Sequence, residues 1–416
     1  MSGDFPREPV PADHANRSAA TISFVVINAV IGIPIMLLGG SLGRNFTFGK
    51  LAIVISIGCA LTAAFCMLTA WAGVRSRCSV ALLAERSFGQ HGARVFNIVN
   101  GAALLGWFAV EMGFIGQLLS NALRLALGIN MPVIAGIVGG SVVIGLITII
   151  GISIIARGPL IFVPLLSLLV AFIAKAAFPH VAAAEIHGAT TMSFGTGISA
   201  VIGGFGLGVV ILPDYSRFIA RTDHAIAAVG LALGPIWAVI LGAYAAAGLV
   251  TQSDDPTNML LALGLPAVVT LFLPVGLLQN SIMCLYSSAL ATSTWLRSVK
   301  FAVIVTATAA IGMILAIGGV QSVFVGFLVL TSAIFPPAAA TLACEALFRP
   351  GDQPAPPNTR WLGLGIWGAG SLVAISSEHL GIGLTGVSSL DGFVTSFALC
   401  MTSIWVSRAK AQRALS

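Results

Sequence analysis

Gly203-Gly204-Phe205-Gly206-Leu207-Gly208, followed by Pro213, lies inside a long apolar run, and its reading decides the fold. Each of its four glycines weakens a helix by about 1 kcal/mol relative to alanine. Glycine also serves close packing between membrane helices, so position has to separate a break from a contact. A second interruption, Asn28-Ala29-Val30-Ile31-Gly32-Ile33-Pro34, sits near the middle of the first apolar run. The two interruptions fall in the first and sixth runs, five apart. Five is odd, so a repeat of that length is inverted across a membrane. Paired interrupted helices at matching places of two inverted halves point to a transporter site at the bilayer midplane.

Composition supports this reading. Of 416 residues, 57% are hydrophobic and 8% are charged, and the mean hydropathy is +1.02. A soluble domain carries roughly 25% charge. The chain therefore reads as an all-α polytopic membrane protein. Runs long enough to span a bilayer occur near 20–43, 50–73, 93–125, 131–153, 157–179, 192–213, 224–250, 263–293, 299–318, 322–348, 361–380 and 391–408, which makes about twelve helices. Residues 1–19, with Pro6, Pro9 and Pro11 and charges of both signs, read as a disordered cytoplasmic tail rather than a signal peptide. The expected organisation is a first five-helix repeat over 20–180, a second, inverted one over 192–348, two additional helices over 361–408, and a cytoplasmic tail over 409–416.

The basic residues test the helix count. Arg44, Lys50, Arg124 and Lys175 fall on one side of the membrane, and the other sixteen of the twenty fall on the side of both termini. That asymmetry makes both termini cytoplasmic. It also removes the nucleic-acid reading that a pI of about 9.3 suggests, because the charge is sorted by side and forms no patch. The six cysteines contain no CxxC pair and the six histidines lie near loops or ends, so no metal cluster is expected. The stretch Gly43 to Lys50 has the wrong glycine spacing for a phosphate loop, and Leu51 follows the lysine. No motif for covalent chemistry occurs, so an enzyme is not expected.

Trp107 and Glu111 lie in the third run, one helical turn apart on the same face. A lone carboxylate at bilayer depth costs roughly 2.5–3.5 kcal/mol, so Glu111 must face protein, water or substrate. It is the one acidic residue of fourteen that the span assignment places deep in a helix. Glu111 is expected either to hydrogen-bond a substrate or to carry a coupled proton. The structural alternative is a protonated Glu locked to a neighbouring helix for packing specificity, with Asn28 or Gln279 as examples of a partner.

Several fragments resemble the nucleobase–cation symporter family, especially its cytosine permease and purine–cytosine permease branch. They are Leu38-Gly39-Gly40-Ser41-Leu42-Gly43, Leu83-Ala84-Glu85-Arg86-Ser87-Phe88-Gly89, Gly106-Trp107-Phe108 and Gly203–Phe205. Asp214-Tyr215-Ser216-Arg217-Phe218, Leu285-Tyr286, and Ser332 to Pro337 with Glu345 follow in the family's order. The resemblance implies a LeuT-type five-plus-five inverted repeat with helices 1 and 6 broken at mid-membrane, plus two C-terminal helices. It also implies a multi-pass permease of the bacterial cytoplasmic (inner) membrane that imports a nucleobase such as cytosine, or a related planar heterocycle, by alternating access. Coupling is to a cation, with H+ favoured over Na+, and no other cofactor and no obligate protein partner are implied.

By the same resemblance, Trp107 and Phe205 stack on the ring. Base–aromatic stacking contributes about 1–3 kcal/mol. Gly204, Gly206, Leu207 and Gly208 offer backbone groups to the ring edge, and Glu111, Asn280 and Ser281 complete the substrate site. Asn28, Gly32, Gly276, Gln279 and Asn280 match the cation region, where Gln279 and Asn280 replace a pair of hydroxyls. Within the family, the thiamine-precursor hydroxymethylpyrimidine and allantoin- or hydantoin-like rings are the alternative substrates. A channel would more naturally show a repeated polar stripe.

Overall fold

In hydrocarbon every backbone N–H and C=O must find its partner within the protein, which leaves helices as the economical solution for runs this apolar. The computed structural model describes residues 8–150, 158–184, 192–266, 270, 273–293, 296, 298–349, 358–381 and 383–415, and among these the regular structure is helical throughout. Arg7, Arg157 and Arg297 of the charge asymmetry lie outside the described residues.

The first span is two helices, α1 (Ala19–Val30) and α2 (Ile33–Asn45), bent by 57° at Ile31–Gly32. Pro34, in the first turn of α2, has no N–H to contribute where the chain restarts. α3 (Phe48–Ser76), α4 (Val80–Leu127), α5 (Val133–Ile150) and α6 (Gly158–Ala177) follow. α4 takes in both the Leu83–Gly89 fragment and the third run. Gly89 (φ 77°, ψ 172°) kinks it there, a conformation that favours glycine.

α7 (Phe194–Gly204) and α8 (Gly206–Ser216) form the sixth span. Its interruption is milder than that of the first. Phe205 alone leaves helical geometry (φ −123°, ψ 18°), and Phe205 N–H to Ile202 O and Val209 N–H to Phe205 O carry the ladder across. Glycine permits a break but does not force one. Gly203 instead gives room to the Leu328 carbonyl, where a Cβ would overlap it.

α9 (Thr222–Leu231) and α10 (Trp237–Thr251) are joined by a short π-helical turn over Ala232–Ile236, and the one-turn α11 (Pro256–Ala262) comes next. α12 (Leu273–Ser293), α13 (Phe301–Ile317), α14 (Phe324–Phe348), α15 (Trp361–Leu380) and α16 (Ser388–Leu415) complete the chain. Nine of the expected runs carry a helix or bent pair long and apolar enough to cross a membrane, among the described residues. The other three are occupied by α12, α13 and α15, which are shorter or more polar.

Named contacts join loops within each expected side. Arg44 pairs with Asp254 at 3.0 Å on one side, while Arg17 and Arg217 both lie over the Phe218 ring on the other. Glu345 at the end of α14 takes Arg349 at 3.0 Å and Arg360 at 3.4 Å on that same side.

Residues 10–18 are not a loose tail. Val10 and Ala15 are buried with Phe218, Val10 N–H donates to Arg77 O at 2.9 Å, and Arg17 N–H to Phe218 O at 3.0 Å. The prolines and charges masked two apolar residues that dock on the ends of α3 and α8. A second difference concerns buried acid. Asp391, at the start of α16, is 2% exposed and is satisfied by Ser377 and Thr385 hydroxyls at 2.7 and 2.9 Å, so Glu111 is not alone.

The seam between α2 and α10 brings two helix backbones into close contact. Gly39 and Gly43 lie against the backbone of Tyr244, Ala245 and Gly248, where added Cβ atoms would overlap main-chain atoms. Small residues let two helices in lipid reach that separation.

Candidate functional site

A cleft opens beside both chain interruptions. Trp107 of α4 and Phe205 between α7 and α8 both line it, together with Gly204, Gly206, Leu207 and Gly208. Each aromatic is held by neighbours. Phe324 and Phe327 of α14 meet Trp107 edge-on at 5.8 and 5.7 Å, which fixes the indole plane. The Phe205 ring lies over Gly208, whose missing side chain makes its seat, with Trp237 edge-on at 6.4 Å.

The first turn of α8 completes this wall. Its leading N–H groups have no intrahelical partner, and no side chain caps it. Gly206–Gly208 thus present amide donors and the positive end of a helix dipole to the cleft. An electron-rich ring edge fits there.

The opposite wall is α12. Asn280, Met283, Cys284 and Ser287 line the cleft at helical spacing. The sequence reading selected only Asn280 of these, although the i, i+3, i+4, i+7 pattern is visible in the chain. Val25, Val26 and Ala29 of α1 and Ile211, Leu212 and Tyr215 of α8 carry the cleft away from the interruptions, toward the start of α1 and the end of α8.

Two of the expected substrate residues lie behind the cleft wall. Glu111 is fully buried and does not line the cleft; Asn280 Nδ2 donates to its Oε1 at 2.5 Å and Ser281 Oγ to its Oε2 at 2.8 Å. Ser281 spends its hydroxyl on that carboxyl group and does not line the cleft either. The reason is geometric: successive residues of α12 grip Glu111 from one side, so only the longer Asn280 also reaches the cleft. The structural alternative for Glu111 was sound in kind but named Asn28 and Gln279 in place of these partners.

The residues matched to a cation are only partly brought together. Gly276 of α12 lies close to Ile33, beside the joint of the first span, whereas Asn280 is committed to Glu111. Gln279 is buried. Asn28 of α1 and Gly32 are buried near the joint but do not line the cleft. The carbonyl of Ile31, freed where α1 ends, accepts the Tyr244 hydroxyl at 2.7 Å. Sequence reasoning missed Tyr244, since nothing local marks a partner 213 residues away.

Comparison with known proteins gives concordant results. The family model described as permease for cytosine/purines, uracil, thiamine, allantoin matches residues 9–348. The cytosine permease of Escherichia coli strain K12 is 25% identical over 411 residues, covering 96% of this chain and 94% of the relative. Among solved structures, Mhp1, a nucleobase-cation-symport-1 family transporter in a closed conformation with bromovinylhydantoin bound, has a TM-score of 0.79 at 17% identity, covering 97% of this chain and 96% of Mhp1. A Na+-coupled sialic acid symporter in a substrate-bound outward-open state has a TM-score of 0.65 at 13% identity, covering 95% and 91%.

Proposed function

This chain belongs to the family of permeases for cytosine/purines, uracil, thiamine and allantoin, and from that premise we propose that it imports a nucleobase such as cytosine, or a closely related planar heterocycle, by alternating access coupled to a cation. The observation that carries the reading is the placement of Trp107 and Phe205 on one cleft beside the uncapped first turn of α8. Flat π-surfaces suit a planar ring, and the amide donors suit its carbonyl or ring-nitrogen edge. With the chain ends cytoplasmic, the cleft runs toward the cytoplasm, as a release pathway should.

The test is a radiolabelled uptake panel in proteoliposomes over cytosine, uracil, purines, hydroxymethylpyrimidine, allantoin and hydantoins. Concentrative uptake of at least one ring is expected, and uptake of none would refute the reading.

The same panel without sodium tests coupling. A sodium site in this architecture draws on carbonyls freed at broken helices. Here the Ile31 carbonyl holds Tyr244, and the side-chain amides of Gln279 and Asn280 stand in place of a pair of hydroxyls. These features favour H+, so replacing sodium is expected to change uptake by less than about twofold. A steep sodium requirement would show that the site is rebuilt from other oxygens.

Orientation is tested with impermeant thiol reagents. All six native cysteines are buried, which keeps the background low. Cysteines placed at Ala182 and Asp254 are expected to react from outside, and one at Arg75 only after permeabilisation. The reverse pattern would overturn the charge-sorting argument.

A further inference from the structure

Asn280 stands between the cleft and Glu111. It lines the cleft while its Nδ2 donates to Glu111 Oε1, and Ser281 Oγ holds the other carboxyl oxygen, Oε2. Both oxygens of the Glu111 carboxyl group accept hydrogen bonds here, whereas a side-chain amide has donors at one end and an acceptor at the other. Turning the Asn280 amide over would set its carbonyl oxygen against the accepting Oε1 of a fully buried side chain. The amide is thereby locked in one sense. Among the described residues no donor reaches Asn280 Oδ1, so that oxygen is the acceptor left for whatever occupies the cleft.

We infer that Glu111 is a positioning residue: it fixes the Asn280 amide so that Oδ1 faces the substrate as an acceptor, and so selects rings bearing an amino or N–H donor at that edge over isosteric rings bearing a carbonyl there. The inference rests on the reading of the cleft as a heterocycle site and deepens it by naming the hydrogen-bond pattern. The α8 turn supplies donors and Asn280 supplies an acceptor. Together they call for a ring with an acceptor along one edge and a donor along another. A site built around a buried acceptor rejects an analogue that lacks the donor, because both acceptors are then left unpaired.

The test uses the full-length protein in proteoliposomes and pairs of rings that exchange an amino for an oxo group, cytosine with uracil and adenine with hypoxanthine. The readout is the ratio of half-saturation concentrations within each pair, which a general loss of folded protein does not move. The wild type is expected to favour the amino member of at least one pair by about a hundredfold. Glu111→Gln keeps the shape of the side chain, but its amide can pair with Asn280 in either sense. The ratio should fall at least about tenfold, chiefly through better binding of the oxo member. Ser281→Ala keeps the carboxyl group in place and should leave the ratio within about threefold of wild type. If Glu111→Gln does not reach the membrane, Asn280→Ser carries the same test: a rotatable hydroxyl replaces the fixed acceptor, and the ratio must fall.

An unchanged ratio in Glu111→Gln, with both members weakened alike, would make Glu111 a brace between α4 and α12 and overturn the inference. So would a wild type that prefers the oxo members, or a Ser281→Ala ratio that collapses as far as that of Glu111→Gln. If no ring is transported at all, the heterocycle reading falls and takes this one with it. Rings that are transported with the wrong pattern sink the inference alone.

Discussion

Trp107→Ala is expected to remove most uptake at substrate concentrations that saturate the wild type. Stacking of a base on an aromatic surface contributes about 1–3 kcal/mol, which corresponds to roughly 5- to 150-fold in affinity. The substitution takes away one of the two aromatic walls of the cleft and removes the ring that Phe324 and Phe327 both meet edge-on. Trp107→Phe restores a flat ring of smaller area and should retain partial transport. Phe205 should follow the same order, with leucine far worse than tyrosine. Uptake normalised to the amount of protein in the membrane is the measurement, since losing a buried tryptophan also costs packing energy. Normal transport by Trp107→Ala would exclude this cleft as the site.

Gly43→Ala is expected to be strongly destabilising. The added methyl group would overlap the Ala245 carbonyl and crowd Leu249 N and Gly248 C, all main-chain atoms of α10. No side-chain rotation relieves an overlap of backbone on backbone, so the two helices must separate. Overpacking in a well-packed core costs about 1–3 kcal/mol and sometimes more, and this site belongs at the upper end. The folded fraction in detergent should drop sharply on heating relative to the wild type. Gly49→Ala is the control, because its methyl group would meet nothing within 4 Å. There the melting temperature should hold or rise slightly. Equal melting of the two variants would mean that α2 and α10 are not in backbone contact.

How much of this was legible depends on whether the signal was local. Gly32 and Pro34 announce the first joint in the sequence itself, and the glycine cluster around Phe205 marks the second interruption. Trp107 could be placed on a protein-facing surface because a carboxyl group one turn away cannot face lipid. The partners of that carboxyl group were not legible. Each step along a helix turns it by about 100°, so choosing Asn280 and Ser281 over Gln279 requires the rotation of α12 against α4. Tyr244 was hidden for the same reason, its target lying in another span. The depth of a break was also unreadable, because glycine-rich sequence serves a bend, a close contact and an aromatic seat alike, and Gly203 and Gly208 do the latter two. Val10 and Ala15 show the opposite failure, in which average polarity concealed two residues that dock.

The first span has consequences as a piece of machinery. α2 is clamped to α10 along its glycine face, and the Tyr244 hydroxyl fastens the end of α1 to the same helix at Ile31. The fulcrum of the bent pair is therefore mounted on α10 and does not float between the two arms. Any displacement of α2 must carry α10 with it as one rigid lever, because sliding them apart would break main-chain contacts along the seam. Beyond the fulcrum α1 is held differently, by a side-chain hydrogen bond from Ser23 Oγ to the Ala228 carbonyl of α9, a contact that can be remade without separating two backbones.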